Sequence, residues 1–211
     1  MYRIANAAIR PYPYPHFYAT EIFPEDYYAE LRAQLPPATS YMTLAETGRV
    51  SPGAYKERSV FLFEDESFGH VENTRAEFWR DVRDWLLDDE ITNLLVAKFA
   101  PHIEERFDGY SGKVQLSTET FLVKDSTGYE IGPHTDAPHR LLSMLFYLPG
   151  DSRWRHCGTS IYLPKDRNFT CAGGPHYLPD PFECMATMPY EPNTLFGFMR
   201  TDNSFHGVEP M

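Results

Sequence analysis

Gly132-Pro-His-Thr-Asp-Ala-Pro-His-Arg-Leu-Leu-Ser-Met-Leu-Phe-Tyr-Leu148 is the stretch on which the fold turns. Its first five residues set an imidazole and a carboxylate two positions apart. On a strand, residues i and i+2 address the same side, so His134 and Asp136 can meet at one point. After the Pro-containing turn, residues 139–148 form a mostly apolar strand. The same style continues outward. Val114-Gln-Leu-Ser-Thr-Glu-Thr-Phe-Leu-Val123 alternates and then runs apolar, and further strands are expected at 159–163, 183–188, 194–200 and 204–208. Short strands separated by Gly and Pro predict a sandwich or small barrel.

The N-terminal half reads differently. A Pro/Tyr-rich opening is broken by Pro11, Pro13 and Pro15. Pro24-Glu25-Asp26 starts a short helix with Tyr28, Leu31 and Leu35 on one face, and Pro36-Pro37 ends it. Ser59-Val-Phe-Leu-Phe63 is a strand by composition. From 71 to 107 the pattern is helical, with one stripe of Phe78, Val82, Trp85 and Leu86 and a second of Ile91, Leu94, Leu95 and Phe99. Asp88 or Asp89 is the cap between them. One domain over 1–211 is expected: a helical lead-in (1–112) packed on a β core (113–211).

With 211 residues, 42% hydrophobic and 23% charged, the chain is long enough for a core and too apolar for wholesale disorder. Thirty acidic against 19 basic residues give a formal charge of −11. That balance argues against a nucleic-acid partner and against an electrostatically held membrane. Aromatic residues at 15% and 18 prolines suit strands and structured turns. Cys157, Cys171 and Cys184 lie in no metal-like spacing, there is no leader-like or membrane-spanning run, and a reduced cytoplasmic protein is expected.

Imidazole nitrogen with carboxylate oxygen suits a first-row divalent metal. A third ligand has to come from elsewhere in the chain, and His206, in Asn203-Ser-Phe-His-Gly-Val208, is a candidate. Two histidines and one carboxylate leave adjacent coordination positions open, as non-haem Fe(II) oxygenases require. Taken alone, an H-x-D triplet is a weak signal, and a structural histidine beside an acid is the better explanation of it. The remaining histidines are read as surface or structural: His139 beside the triplet, His156 and His176 in loops, and His16, His70 and His102 without convergent partners.

Three segments together resemble the 2-oxoglutarate/Fe(II)-dependent dioxygenases, in particular the prolyl-hydroxylase-like branch. They are Tyr129-Glu-Ile-Gly-Pro-His-Thr-Asp136, Leu141-Leu-Ser-Met-Leu-Phe-Tyr-Leu-Pro149 and Phe198-Met-Arg-Thr-Asp-Asn-Ser-Phe-His-Gly-Val-Glu-Pro210. The resemblance covers about half the chain, from near Val114 onward. It implies a mainly β fold with flanking helices, built on a double-stranded β-helix of the jelly-roll or cupin-like kind. It also implies Fe(II) held by His134, Asp136 and His206, 2-oxoglutarate contacted by Tyr147 and Val208, and O2 with a small-molecule substrate. Relatives place an Arg or Lys about ten residues beyond the distal histidine to pair with the far carboxylate of 2-oxoglutarate. Only five residues follow His206 in this sequence, so two alternatives are open: a further C-terminal segment carries that cation, or another cation takes its place, with Arg140 first, then Lys124, then Arg200. Two other readings stay open, a non-catalytic β-helix binding domain and a cupin-like metalloenzyme that does not use 2-oxoglutarate.

Overall fold

The computed structural model describes residues 1–107 and 115–211. Among these, the strands in chain order are β1 (His16–Thr20), β2 (Met42–Thr43), β3 (Arg58–Leu62), β4 (Phe121–Asp125), β5 (Ile131–His134), β6 (Leu142–Tyr147), β7 (Ser160–Pro164), β8 (Phe182–Thr187), β9 (Thr194–Met199) and β10 (His206–Val208). The α-helices are α1 (Tyr2–Asn6), α2 (Glu25–Ala33), α3 (Asp65–Phe68), α4 (Asn73–Leu86) and α5 (Asp89–Arg106). All strand pairs are antiparallel, in sheets ordered β1-β9-β6, β5-β10-β7-β8 and β2-β3-β4. The fold is thus antiparallel β with helices. No helix among the described residues is long and apolar enough to cross a membrane.

The chain groups into two compact units. The first comprises Met1–Tyr28, Val96–Asp108 and Glu130–Met211. Its central strand is β9, in which all six residues are buried. Alternation sends Thr194, Phe196 and Phe198 to one face and Leu195, Gly197 and Met199 to the other. Across the first face, β1 sets Tyr18 and His16 opposite Phe196 and Phe198. On the other side, β6 sets Tyr147, Leu145 and Ser143 opposite Thr194, Phe196 and Phe198. This face packs on the second sheet, because Tyr14, Tyr147, Phe196 and Phe198 form one buried cluster with Ile161 of β7 and with Met188. Each such large side chain contributes about 1.5–3 kcal/mol by leaving water. On the opposite face, Phe17 meets Phe99 of α5 with ring centres 5.9 Å apart. That approach needs Gly197: a Cβ there would stand 2.5 Å from the Phe17 ring and 2.8 Å from Met144 Sδ.

In the second sheet β10 runs between β5 and β7, with His206 opposite His134 on one side and Ile161 on the other. Its outer face rests on a second buried cluster of Tyr162, Cys171, Phe182 and Phe205. Phe182 and Phe205 are the tightest ring pair there, at 4.9 Å.

The second unit comprises Ala29–Leu95 and Gly109–Tyr129 and holds β2-β3-β4 with α3 and α4. Trp79 anchors it, 5.4 Å from the Phe63 ring, with its indole N–H donating to Gln34 O at 2.6 Å. On the sheet, Arg58 makes a two-pronged pair with Asp125 at 2.6 and 2.7 Å and lies over the Tyr129 ring.

Most expected elements are present with ends moved by one to three residues, and Asp88 caps α5 by accepting the Glu90 N–H at 2.6 Å. Three differences are informative. The buried face of α4 is Ala76, Trp79 and Val82, so of the expected stripe only Val82 is buried, Phe78, Trp85 and Leu86 are half-buried, and Trp79 joins Val82 inside. The strand expected over 114–123 is confined to Phe121–Asp125; Val114 and the proposed boundary at 112/113 lie outside the described residues. Finally, the Pro-rich opening leads into a strand, β1, that pairs along all of β9 except Met199. Prolines upstream hide an edge strand from sequence patterning because an edge tolerates them.

Candidate metal centre

His134 is the last residue of β5, Asp136 lies two residues on in the following loop, and β10 opens with His206. The register that pairs His206 with His134 brings the two imidazoles to 4.4 Å between ring centres. One donor atom from each of His134, Asp136 and His206 lies within 4.8 Å of the others, an arrangement able to hold a metal ion. His206 Nε2 and Asp136 Oδ1 are 3.9 Å apart.

Neighbouring groups fix which atoms face the centre. The carbonyl oxygen of Gly132 lies 2.9 Å from His134 Nδ1, and that of Ser204 lies 3.0 Å from His206 Nδ1. A carbonyl only accepts, so in both rings Nδ1 carries a proton, and in the neutral form of each ring the lone pair is on Nε2. Ser143, on the inner face of β6, donates to Asp136 Oδ2 at 2.6 Å and leaves Oδ1 turned toward His206. These are the supporting contacts that orient metal ligands.

The protonation states agree with that role. Burial, then the adjacent His206, brings the His134 imidazole down to about 3. For Asp136 burial is the largest single influence and pushes upward. The His206 charge and the Ser143 hydrogen bond, with smaller help from His134 and Arg140, outweigh it and hold the carboxyl below its ordinary range. At neutral pH His134 is a neutral donor and Asp136 an anionic one, a mixed N/O set suited to a divalent first-row ion.

The ligand segment is pinned from several directions. Between the two ligands, Thr135 is buried and donates to Cys171 O at 2.9 Å, and Tyr177 N donates to Pro133 O at 2.9 Å. Gly173, at φ +110°, lets that loop pass against the Asp136 backbone, where a Cβ would stand 2.5 Å from Asp136 O. Arg106, in the last turn of α5, donates to the carbonyls of Arg140 (2.9 Å), Arg200 (3.0 Å) and Pro138 (2.9 Å).

The other residues singled out from sequence fall as follows. Tyr147 is buried; its hydroxyl donates to Thr159 Oγ1 at 2.8 Å and accepts from Thr159 N at 3.1 Å. Arg140 is half-buried, close enough to Asp136 for its charge to act on that carboxyl. Val208 is half-buried on β10 opposite Ile131. Lys124 is exposed on β4 in the second unit. Arg200 is buried with its guanidinium engaged: it donates to Asp136 O at 3.2 Å and Ala172 O at 2.5 Å, and pairs with Asp202 at 2.7 Å.

Sequence patterning missed Ser143, Arg106, Tyr14 and His16. Ser143 left one signal, a lone hydroxyl in an apolar strand. Two histidines read as peripheral differ in place. The His176 ring lies 4.5 Å from that of His134. His16 is buried on the inner face of β1, its Nδ1 2.8 Å from Tyr14 O.

No protein-family model matches the sequence, and no curated protein matches it. Among solved structures, the fold is similar to that of a prolyl hydroxylase from Trichoplax adhaerens, solved in complex with a hypoxia inducible factor oxygen degradation domain peptide fragment. The TM-score is 0.50 at 15% identity, over 92% of this chain and 77% of that one. At that identity the likeness is one of fold.

Proposed function

We propose that this protein is a non-haem Fe(II) and 2-oxoglutarate-dependent dioxygenase built on a jelly-roll core, hydroxylating a C–H bond of a small molecule. The observation that carries the reading is the convergence of His134, Asp136 and His206 with both Nε2 atoms and Asp136 Oδ1 turned to one point. The likeness in fold to a prolyl hydroxylase supports it. When bound, iron(II) and 2-oxoglutarate supply the oxidising chemistry that places oxygen from O2 on a C–H bond, with succinate and CO2 as by-products.

The chain's own residues do the rest. His134 and Asp136 present their lone pairs without a proton to lose at neutral pH. Ser143 fixes the rotation of the Asp136 carboxylate. Phe198, with its ring centre 4.5 Å from that of His206, shields the imidazole from water. Tyr147, Val208, Arg140 and Lys124 are proposed as 2-oxoglutarate contacts. Of these, Arg140 has the support of acting on Asp136, and Lys124 has only its charge. The free state of Cys157, Cys171 and Cys184 supports a cytoplasmic setting.

A peptidyl substrate is the second reading, favoured by the peptide bound to the neighbouring fold. Oxygen-free protein with Fe(II) and 2-oxoglutarate should develop a weak visible charge-transfer band and, once aerated with substrate, release succinate. Absence of the band, with His134→Ala indistinguishable from the parent, overturns the proposal. A panel of amino acids, sugars and proline-containing peptides separates the two substrate classes.

A further inference from the structure

Tyr14 precedes β1 and is 1% exposed. Its ring lies 5.9 Å from Phe198 and 5.7 Å from His16, in the cluster that also holds Tyr147. Its hydroxyl is buried and has no hydrogen-bond partner. An unmade hydrogen bond inside a protein is costly, and native structures rarely keep one without a use. Phe198, on which Tyr14 packs, has its own ring centre 4.5 Å from that of His206, so the orphan hydroxyl lies in the interior one ring removed from a ligand histidine.

Nearby donors are already committed. The Tyr147 proton goes to Thr159, and the Tyr18 proton to Pro189 O at 2.7 Å. His16 spends its Nδ1 proton on Tyr14 O and is left with an acceptor at Nε2. Arg200 spends its guanidinium on two carbonyls and Asp202. Tyr14 is thus a buried, uncommitted O–H in the cluster that packs on His206, and the proposed co-substrate carries only acceptor oxygens.

We infer that Tyr14 is a co-substrate-binding residue whose hydroxyl donates to an oxygen of a 2-oxo acid bound at the His134/Asp136/His206 centre. The inference rests on the proposed function. It implies that folding leaves the Tyr14 hydrogen bond unmade and ligand binding makes it. Stability of the metal-free protein and affinity for the ligand therefore respond to this hydroxyl with opposite sign.

The test is calorimetric titration of 2-oxoglutarate into Mn(II)-loaded, oxygen-free protein, comparing the parent with Tyr14→Phe. A hydrogen bond to a charged acceptor predicts weakening of about tenfold or more. Mn(II) affinity should stay within twofold, and the metal-free Tyr14→Phe protein should melt at or a few degrees above the parent. Equal 2-oxoglutarate affinity in parent and variant overturns the inference and leaves the proposed function standing. Loss of Mn(II) affinity or a lowered melting temperature in Tyr14→Phe makes Tyr14 a packing residue and overturns it as well. No binding of 2-oxoglutarate by the Mn(II)-loaded parent overturns the proposed co-substrate, and this inference with it.

Discussion

Removing the Ser143 hydroxyl should cost metal affinity more than it costs the fold. Ser143→Ala deletes one hydrogen bond, the 2.6 Å contact to Asp136 Oδ2, and leaves β6 and its pairing to β9 intact. Because the acceptor is a carboxylate, this bond is of the stronger, charge-assisted kind. Its loss frees the carboxylate to rotate, so Oδ1 no longer waits 3.9 Å from His206 Nε2. It also takes away one of the influences that hold the Asp136 carboxyl low. Loss of a contact that orients a metal ligand typically weakens binding about 10–100-fold, or about 1.4–2.7 kcal/mol. Competition between the protein and a chelator for Mn(II) at pH 7 measures it, with thermal melting of the metal-free protein as the control. An affinity within twofold of the parent, at unchanged melting temperature, would refute the claim that Ser143 orients Asp136.

Further outcomes are expected. Replacing Arg106 with Ala removes donors to three carbonyls; discounted for partial exposure, that is about 2 kcal/mol, or a melting-temperature drop of about 4–8 °C, and an unchanged melt would show the contacts to be dispensable. Gly197→Ala forces a methyl against the Phe17 ring and Met144 and should destabilise by about 1–3 kcal/mol in urea unfolding; no change would mean that β9 and β1 can separate freely. Acid should weaken the metal-free protein through His134, whose folded value of about 3 lies below its unfolded 6.5. Its contribution is complete above pH 6.5 and is lost as pH falls toward 3, with a slope of at most about 1.4 kcal/mol per pH unit. Urea midpoints measured in EDTA from pH 7 to 4 should fall, and should fall less in His134→Gln; a flat profile contradicts a buried, neutral His134.

Strands and ligand candidates were legible in the sequence because each leaves a local mark. Alternation and turn residues signal strands, and His134-Thr-Asp136 with a later Phe205-His-Gly207 signals a metal. The supporting residues leave none. Arg106 lies on a helix whose pattern concerns its own packing, and its partners are backbone carbonyls 32 to 94 residues away. Tyr14 and His16 sit in a Pro-broken opening that reads as irregular, and the inward direction of His16 follows from its pairing with Phe198 of β9 at the far end of the chain. Trp79 joins Val82 inside because helix phase is settled by which side chain reaches the Gln34 carbonyl as well as the apolar surface.

Thr135 and its two neighbours divide one short segment between opposite tasks. His134 and Asp136 turn toward the centre while Thr135 hooks Cys171 O behind them, and the Arg106 and Arg200 guanidinium groups clamp the backbone that follows. Folding alone thus freezes the rotations that a metal would otherwise have to arrest. An arriving ion meets donors already deprived of their alternatives, and its binding free energy goes into coordination bonds instead of ordering the chain.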